Sequence, residues 1–109
     1  MYLIVTRAFP PELGGMQSLM WGFTKEMSKN FMIKVFADYQ ENHKEFDKNE
    51  NFSIERVGGF KFLRKIRKAQ LVNEFLKENK VQGVIADHWK SLELINTDKK
   101  KYCLIHGKE

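Results

Sequence analysis

Phe9-Pro10-Pro11-Glu12-Leu13-Gly14-Gly15 is the stretch on which the fold reading turns. Before it, Tyr2-Leu3-Ile4-Val5 is an apolar run with β-branched members and reads as a buried strand. After it, Met16 to Lys29 reads as a helix. The two prolines fix φ and withhold their N–H groups, so neither strand nor helix continues through them. The two glycines have no Cβ, and they let another backbone or a ligand approach where the helix opens. A helix that starts there aims unpaired N–H groups and its positive dipole end at the space above the strand, where an anion would sit. A plain strand-to-helix turn accounts for the same residues equally well.

Working outward, Met16, Leu19, Met20, Phe23 and Met27 recur on one narrow helical face and read as core. Trp21 falls off that face, as a surface aromatic or a contact to some neighbour. Phe31 to Ala37 is a second strand, closed by Asp38, and a polar, mobile loop follows through Glu50. Asn51 to Val57 alternates as a short edge strand, and Gly58-Gly59 ends it. Phe60 to Asn79 is helical but carries two apolar sets on nearly opposite sides: Phe62, Leu63 and Ile66, then Ala69, Val72, Phe75 and Leu76. One straight helix cannot bury both against one sheet, which predicts a kink or two segments, the second packed on the sheet. Val81 to Ala86 is a third strong strand, ending in Asp87-His88-Trp89. Ser91 to Ile95 reads as a short helix, Asn96 to Lys101 as a lysine-rich turn, and Tyr102 to Ile105 as a last strand before His106-Gly107. Strands alternating with helices predict an α/β fold: a Rossmann-like three-layer sandwich with a mainly parallel sheet. Its central strand is the first, flanked by those starting near Phe31 and Val81.

The 109 residues suffice for about one domain, and 42% hydrophobic with 13% aromatic content argues for a real core. The single cysteine, Cys103, excludes an intramolecular disulfide framework and fits a reducing compartment. Cys103 falls mid-strand and reads as buried and inert. Met1 leads directly into a short strand, Arg7 and two prolines, which does not read as a signal peptide. No apolar run approaches the roughly 20 residues that span a bilayer. A formal net charge of +5 favours anionic partners without choosing among nucleic acid, phospholipid and nucleotide-sugar.

His88 and His106 both stand at expected carboxyl ends of strands, which is the ligand edge of an open α/β sheet. Lys61, Arg64, Lys65, Arg67 and Lys68 crowd the start of the long helix with no acid among them. Basic residues around an apolar patch suit an anionic membrane surface or a phosphorylated acceptor, and a solvated charge face is the plainer alternative. Asp38 stands where a dinucleotide-binding unit places its ribose-holding acid, but the G-x-G-x-x-G spacing is absent, so Asp38 reads as a strand-ending residue. No phosphate loop, serine-centred nucleophile elbow or metal-ligand spacing is present, and neither metal nor cofactor is expected.

Three motifs in this order resemble the amino-terminal half of a GT-B glycosyltransferase of family four, the retaining class that includes many bacterial polysaccharide and lipopolysaccharide enzymes. They are the Phe9 to Gly15 loop, Asp87-His88-Trp89, and His106-Gly107-Lys108-Glu109, which looks like the family's His-Gly-x-Glu step. The resemblance implies an acceptor-side Rossmann-like domain facing a second domain that holds the nucleoside diphosphate sugar. It further implies a cytoplasmic enzyme, or one peripheral on the inner face of the membrane, that glycosylates a glycan or lipid-linked acceptor. By that standard residues 1–109 form a partial amino-terminal domain lacking the donor domain, a fragment that is inactive alone and self-associates. Gly14, Gly15, Arg7 and His106 would line the donor-phosphate or acceptor cleft, and His88 would hydrogen-bond the transferred sugar. Nucleic acid is not expected as a partner. The competing readings are a nucleotide-binding Rossmann-like module and a basic module for membrane or nucleic acid.

Overall fold

A computed structural model describes residues 1–104. Five strands, β1 (Tyr2–Thr6), β2 (Ile33–Asp38), β3 (Ser53–Val57), β4 (Gly83–Ala86) and β5 (Lys100–Cys103), form one sheet in the order β3-β2-β1-β4-β5. Every pairing is parallel, with β1 between β2 (Val5 beside Phe36) and β4 (Val5 beside Ala86). The expected Rossmann-like α/β sheet is therefore present, with the first strand at its centre and β3 at an edge.

Both faces of β1 are covered, which is why its sequence is continuously apolar rather than alternating. Ile4 points into one core with Val35, Ala37, Ile85 and Met20. Leu3 and Val5 point into the other with Phe36, Val84 and Val72. Helix α1 (Gly15–Ser28) and the short helix α2 (His43–Lys48) cover the first face, and α3 (Lys61–Glu78) covers the second. Chain direction across the sheet reverses between β1 and β4. That switch point opens a crevice beyond the carboxyl ends of the two strands, the usual ligand position in such sheets. Asp87 closes its base: buried, it accepts from the Arg7 backbone N–H (3.1 Å) and from Ser91 Oγ (2.9 Å).

Several local expectations need correction. Helix α3 is one continuous element, because the first apolar set is not buried: Phe62 is 73% and Leu63 59% exposed. Ala69, Val72, Phe75 and Leu76, with Leu71, are the apolar groups it packs inward, so no conflict of faces arises. The polar stretch before Glu50 contains α2, and it supplies the neighbour that Trp21 lacked. The indole stacks tilted against Phe46 with centroids 5.6 Å apart and donates to Glu50 Oε1 at 3.2 Å. Leu19, placed in the core stripe by its spacing, is 39% exposed, while Trp21 takes a place beside the core. The second strand starts at Ile33, leaving Phe31 and Met32 exposed. The expected helix after β4 is a 3-10 turn, Trp89–Leu92, and the last strand begins earlier, at Lys100.

The turn between β3 and α3 sets where the basic helix begins. Gly59 there has φ +108°, a region that L side chains rarely adopt, while the space around its missing Cβ is open. Backbone rather than crowding therefore dictates glycine. Gly59→Ala is expected to destabilise the fold by about 1–2 kcal/mol, read as a lowered urea midpoint with unchanged slope. A neutral result would mean that the turn relaxes to negative φ.

Candidate functional site

Lys61, Arg64, Lys65 and Lys68 recur at spacings of three and four and so share one face of α3. That face looks across the carboxyl edge of the sheet. With Arg7 from the loop after β1, Asp38 from the end of β2, and Lys90 and Ser91 from the 3-10 turn, it encloses a cavity of about 340 Å3. Val5, Phe62 and Ala69 supply an apolar part of the lining. Among the described residues, six cationic side chains thus meet one carboxylate. Arg67, on another face of the helix, does not line the cavity.

The floor is an ion pair. Lys68 Nζ donates to Asp38 Oδ1 and to the Thr6 carbonyl (3.0 Å), while Arg64 Nε lies 3.3 Å from Asp38 Oδ2. Lys68 is only 5% exposed, so its place in the basic run does not make it a surface contact as expected from sequence. Burial lowers its pKa from the ordinary 10.5, with the Asp38 charge and hydrogen bond opposing. Asp38 is likewise more than the end of a strand: it is the buried counter-ion of the site.

The lowered pKa fixes a sign. Just below 10.5 the unfolded chain holds the Lys68 proton more tightly than the folded one, so the unfolded state binds more protons. Stability must then rise with pH across that window, and below the folded pKa the penalty is constant. Urea denaturation at increasing alkaline pH is expected to show this rise in the native chain relative to Lys68→Met. Parallel pH profiles for the two proteins would contradict it.

The rim cations differ in their commitments. Lys65 pairs with Glu93, and the half-exposed Arg7 guanidinium lies 3.7 Å from Asp87. Lys61 and Lys90 have no carboxylate partner among the described residues. The start of α3 also has no side-chain cap and no acid in its first turn. Cations there oppose the positive end of the helix dipole, an arrangement worth about 0.3–1 kcal/mol per charge in the unfavourable sense.

The other residues singled out from sequence lie on the same edge but not in this cavity. Gly14 caps α1 and Gly15 begins it. Gly14 is extended backbone that any residue can adopt, a Cβ there would meet only the movable end of Gln17, and one on Gly15 would meet nothing. Folding therefore places no demand for glycine at either position. His88 follows β4 and caps the 3-10 turn, its Nδ1 accepting from the Lys90 N–H at 3.2 Å. A neutral His88 ring then carries its proton on Nε2, which becomes a donor. His106 and the rest of its motif lie outside the described residues. Cys103 is partly buried at the end of β5, and burial, then the Asp87 carboxylate, push its thiol above the ordinary 9.0. That keeps it protonated and a poor nucleophile at neutral pH.

Sequence reasoning named Arg7, Lys61, Arg64, Lys65 and Lys68, and left the basic run between a membrane surface, a phosphorylated acceptor and a solvated face. It missed Lys90, Ser91 and Asp38 as lining groups. The helical spacing of the cations was a signal that would have put them on one face. Only the sheet order brings Lys90 and Ser91 opposite. No protein-family model matches the chain, and no curated protein matches it either. Among the described residues no helix is long and apolar enough to cross a membrane.

Proposed function

We propose that this chain is the acceptor-side part of a retaining glycosyltransferase, one that moves a sugar from a nucleoside diphosphate to a glycan or lipid-linked acceptor in bacterial polysaccharide or lipopolysaccharide synthesis. The observation that supports the reading is a shared sheet edge. The Gly14-Gly15 helix start, Arg7, His88 and the cationic cavity all belong to the carboxyl edge of the parallel sheet. In transfer, negative charge grows on the departing diphosphate. Backbone N–H groups at Gly14 and Gly15, at the start of α1, would stabilise it as preorganised dipoles. His88 Nε2–H donates to the transferred sugar. The donor's nucleotide is held by a second domain, so the isolated chain neither turns over nor holds a nucleoside diphosphate tightly. Exposed Phe60, Phe62 and Leu63 beside Lys61 favour a peripheral contact with an anionic membrane.

The sheet order also suits a nucleotide-binding module, but Asp38 is taken by Lys68 and Arg64 and is not free to hold a ribose. Calorimetry separates the two readings. Acceptor-side function predicts weak or no binding of a panel of nucleoside diphosphates to this chain. Transfer by the full-length polypeptide is expected to fall at least tenfold in His88→Ala. Tight nucleotide binding by the chain alone, or full activity of His88→Ala, would overturn the proposal.

A further inference from the structure

We infer that the cavity between α3 and the carboxyl edge of the sheet is a phosphomonoester-binding site, taking a ligand whose phosphate carries a small, partly apolar body. Three observations converge. Cations from three separate segments, Arg7, Lys61 with Lys65, and Lys90, face one concave space of about 340 Å3 rather than open solvent. Among the described residues Lys61 and Lys90 find no carboxylate, and the one acid lining the cavity, Asp38, is already shared by Lys68 and Arg64. The start of α3 bears cations where its own dipole is positive and has no side-chain cap.

Each of these is unfavourable while the cavity is empty, and a dianion relieves all of them together. Its oxygens accept from the rim ammonium groups, and its charge offsets the cations near the start of the helix. Ser91 adds a hydroxyl to the lining, and Val5, Phe62 and Ala69 give the rest of the ligand an apolar wall. As the place where a phosphorylated acceptor is held, the site rests on the transferase reading; as a phosphate site it does not.

Calorimetry at low salt with glucose 1-phosphate, inorganic phosphate and free glucose tests it, alongside co-sedimentation with phosphatidylcholine vesicles with and without phosphatidic acid. The expected result is binding of the phosphate compounds and not of glucose. Lys61→Gln and Lys90→Gln, both at exposed positions without a carboxylate partner among the described residues, are each expected to weaken binding about tenfold. Binding to phosphatidic-acid vesicles alone, weakened by the same variants, would assign the phosphate to a lipid headgroup. Absence of binding to every phosphate, or binding untouched by both variants, would overturn the inference. Phosphate binding by the chain together with no transfer by the full-length polypeptide would remove the transferase reading and leave this site standing. Transfer without any phosphate binding would do the reverse.

Discussion

Replacing Arg56 with methionine is expected to destabilise the fold by about 3 kcal/mol, because it removes the buried member of a part-buried ion pair and leaves Asp47 with His43 as its remaining partner. The Arg56 side chain, on β3, is only 3% exposed. Its Nε and one terminal nitrogen grip both oxygens of Asp47 on α2, at 3.1 and 2.7 Å. The same guanidinium donates to the Asp38 carbonyl at the end of β2 (3.1 Å) and to the Pro10 carbonyl in the loop after β1 (2.6 Å). The plane lies near Phe9, 5.8 Å from its ring centroid. One side chain thus ties an edge strand, the short helix, a neighbouring strand end and the proline loop. A planar fork makes these bonds together and an ammonium does not, so Arg56→Lys is expected to recover only part of the loss. Urea denaturation monitored by tryptophan fluorescence reads the effect through Trp21, which packs against α2. A change within about 1 kcal/mol for Arg56→Met would show that the network is replaceable by water. Total stabilities of 5–15 kcal/mol are usual, so the loss would place the chain near its folding limit.

Asp38→Ala is expected to produce a loss of similar size, about 3–5 kcal/mol at neutral pH, by leaving the Lys68 ammonium buried with the Thr6 carbonyl as its remaining partner. Burial already lowers the Lys68 pKa, and removing the opposing charge lowers it further. Part of the loss therefore returns as pH rises and Lys68 becomes neutral. The decisive variant is the double one. Asp38→Ala with Lys68→Met removes both charges and fills part of the space, and it is expected to be more stable than Asp38→Ala alone by at least about 1 kcal/mol. If the two single losses simply add, the residues are not coupled and the floor of the cavity is not the ion pair seen here. Because Asp38 also restrains Arg64, the variant further loosens the lining of the proposed phosphate site.

Legibility in the sequence followed the range of the interactions. Tyr2-Leu3-Ile4-Val5 announced a doubly covered central strand because burial on both faces leaves no polar position. Val81 to Ala86 read as a strong strand from its apolar residues, and the strand itself is Gly83–Ala86, buried throughout, with the exposed Gln82 before it. The proline and glycine steps marked the turns because their backbone limits are properties of single residues. Helix α2 was missed because six residues of mixed charge bury only one large side chain, Phe46, and only in part. The kink expected in α3 came from treating Phe62 and Leu63 as core, when they remain in solvent.

The candidate site divides along the same line. That the chain is an α/β domain with a ligand edge, and that Arg7, Gly14, Gly15 and His88 belong to that edge, follows from local pattern and from the rule that parallel strands all end on one side. That Lys68 is buried while Arg67 is not, that Asp38 is its counter-ion, and that Lys90 and Ser91 close the cavity, depended on the sheet order, which brings residues as far apart as Val5 and Ser91 to one cavity. The physical reason is that charge type is written at each position, whereas desolvation and Coulomb partners are set by what the rest of the chain packs around it. The same basic run is a solvated face on one packing and the lining of an anion-binding cavity on another.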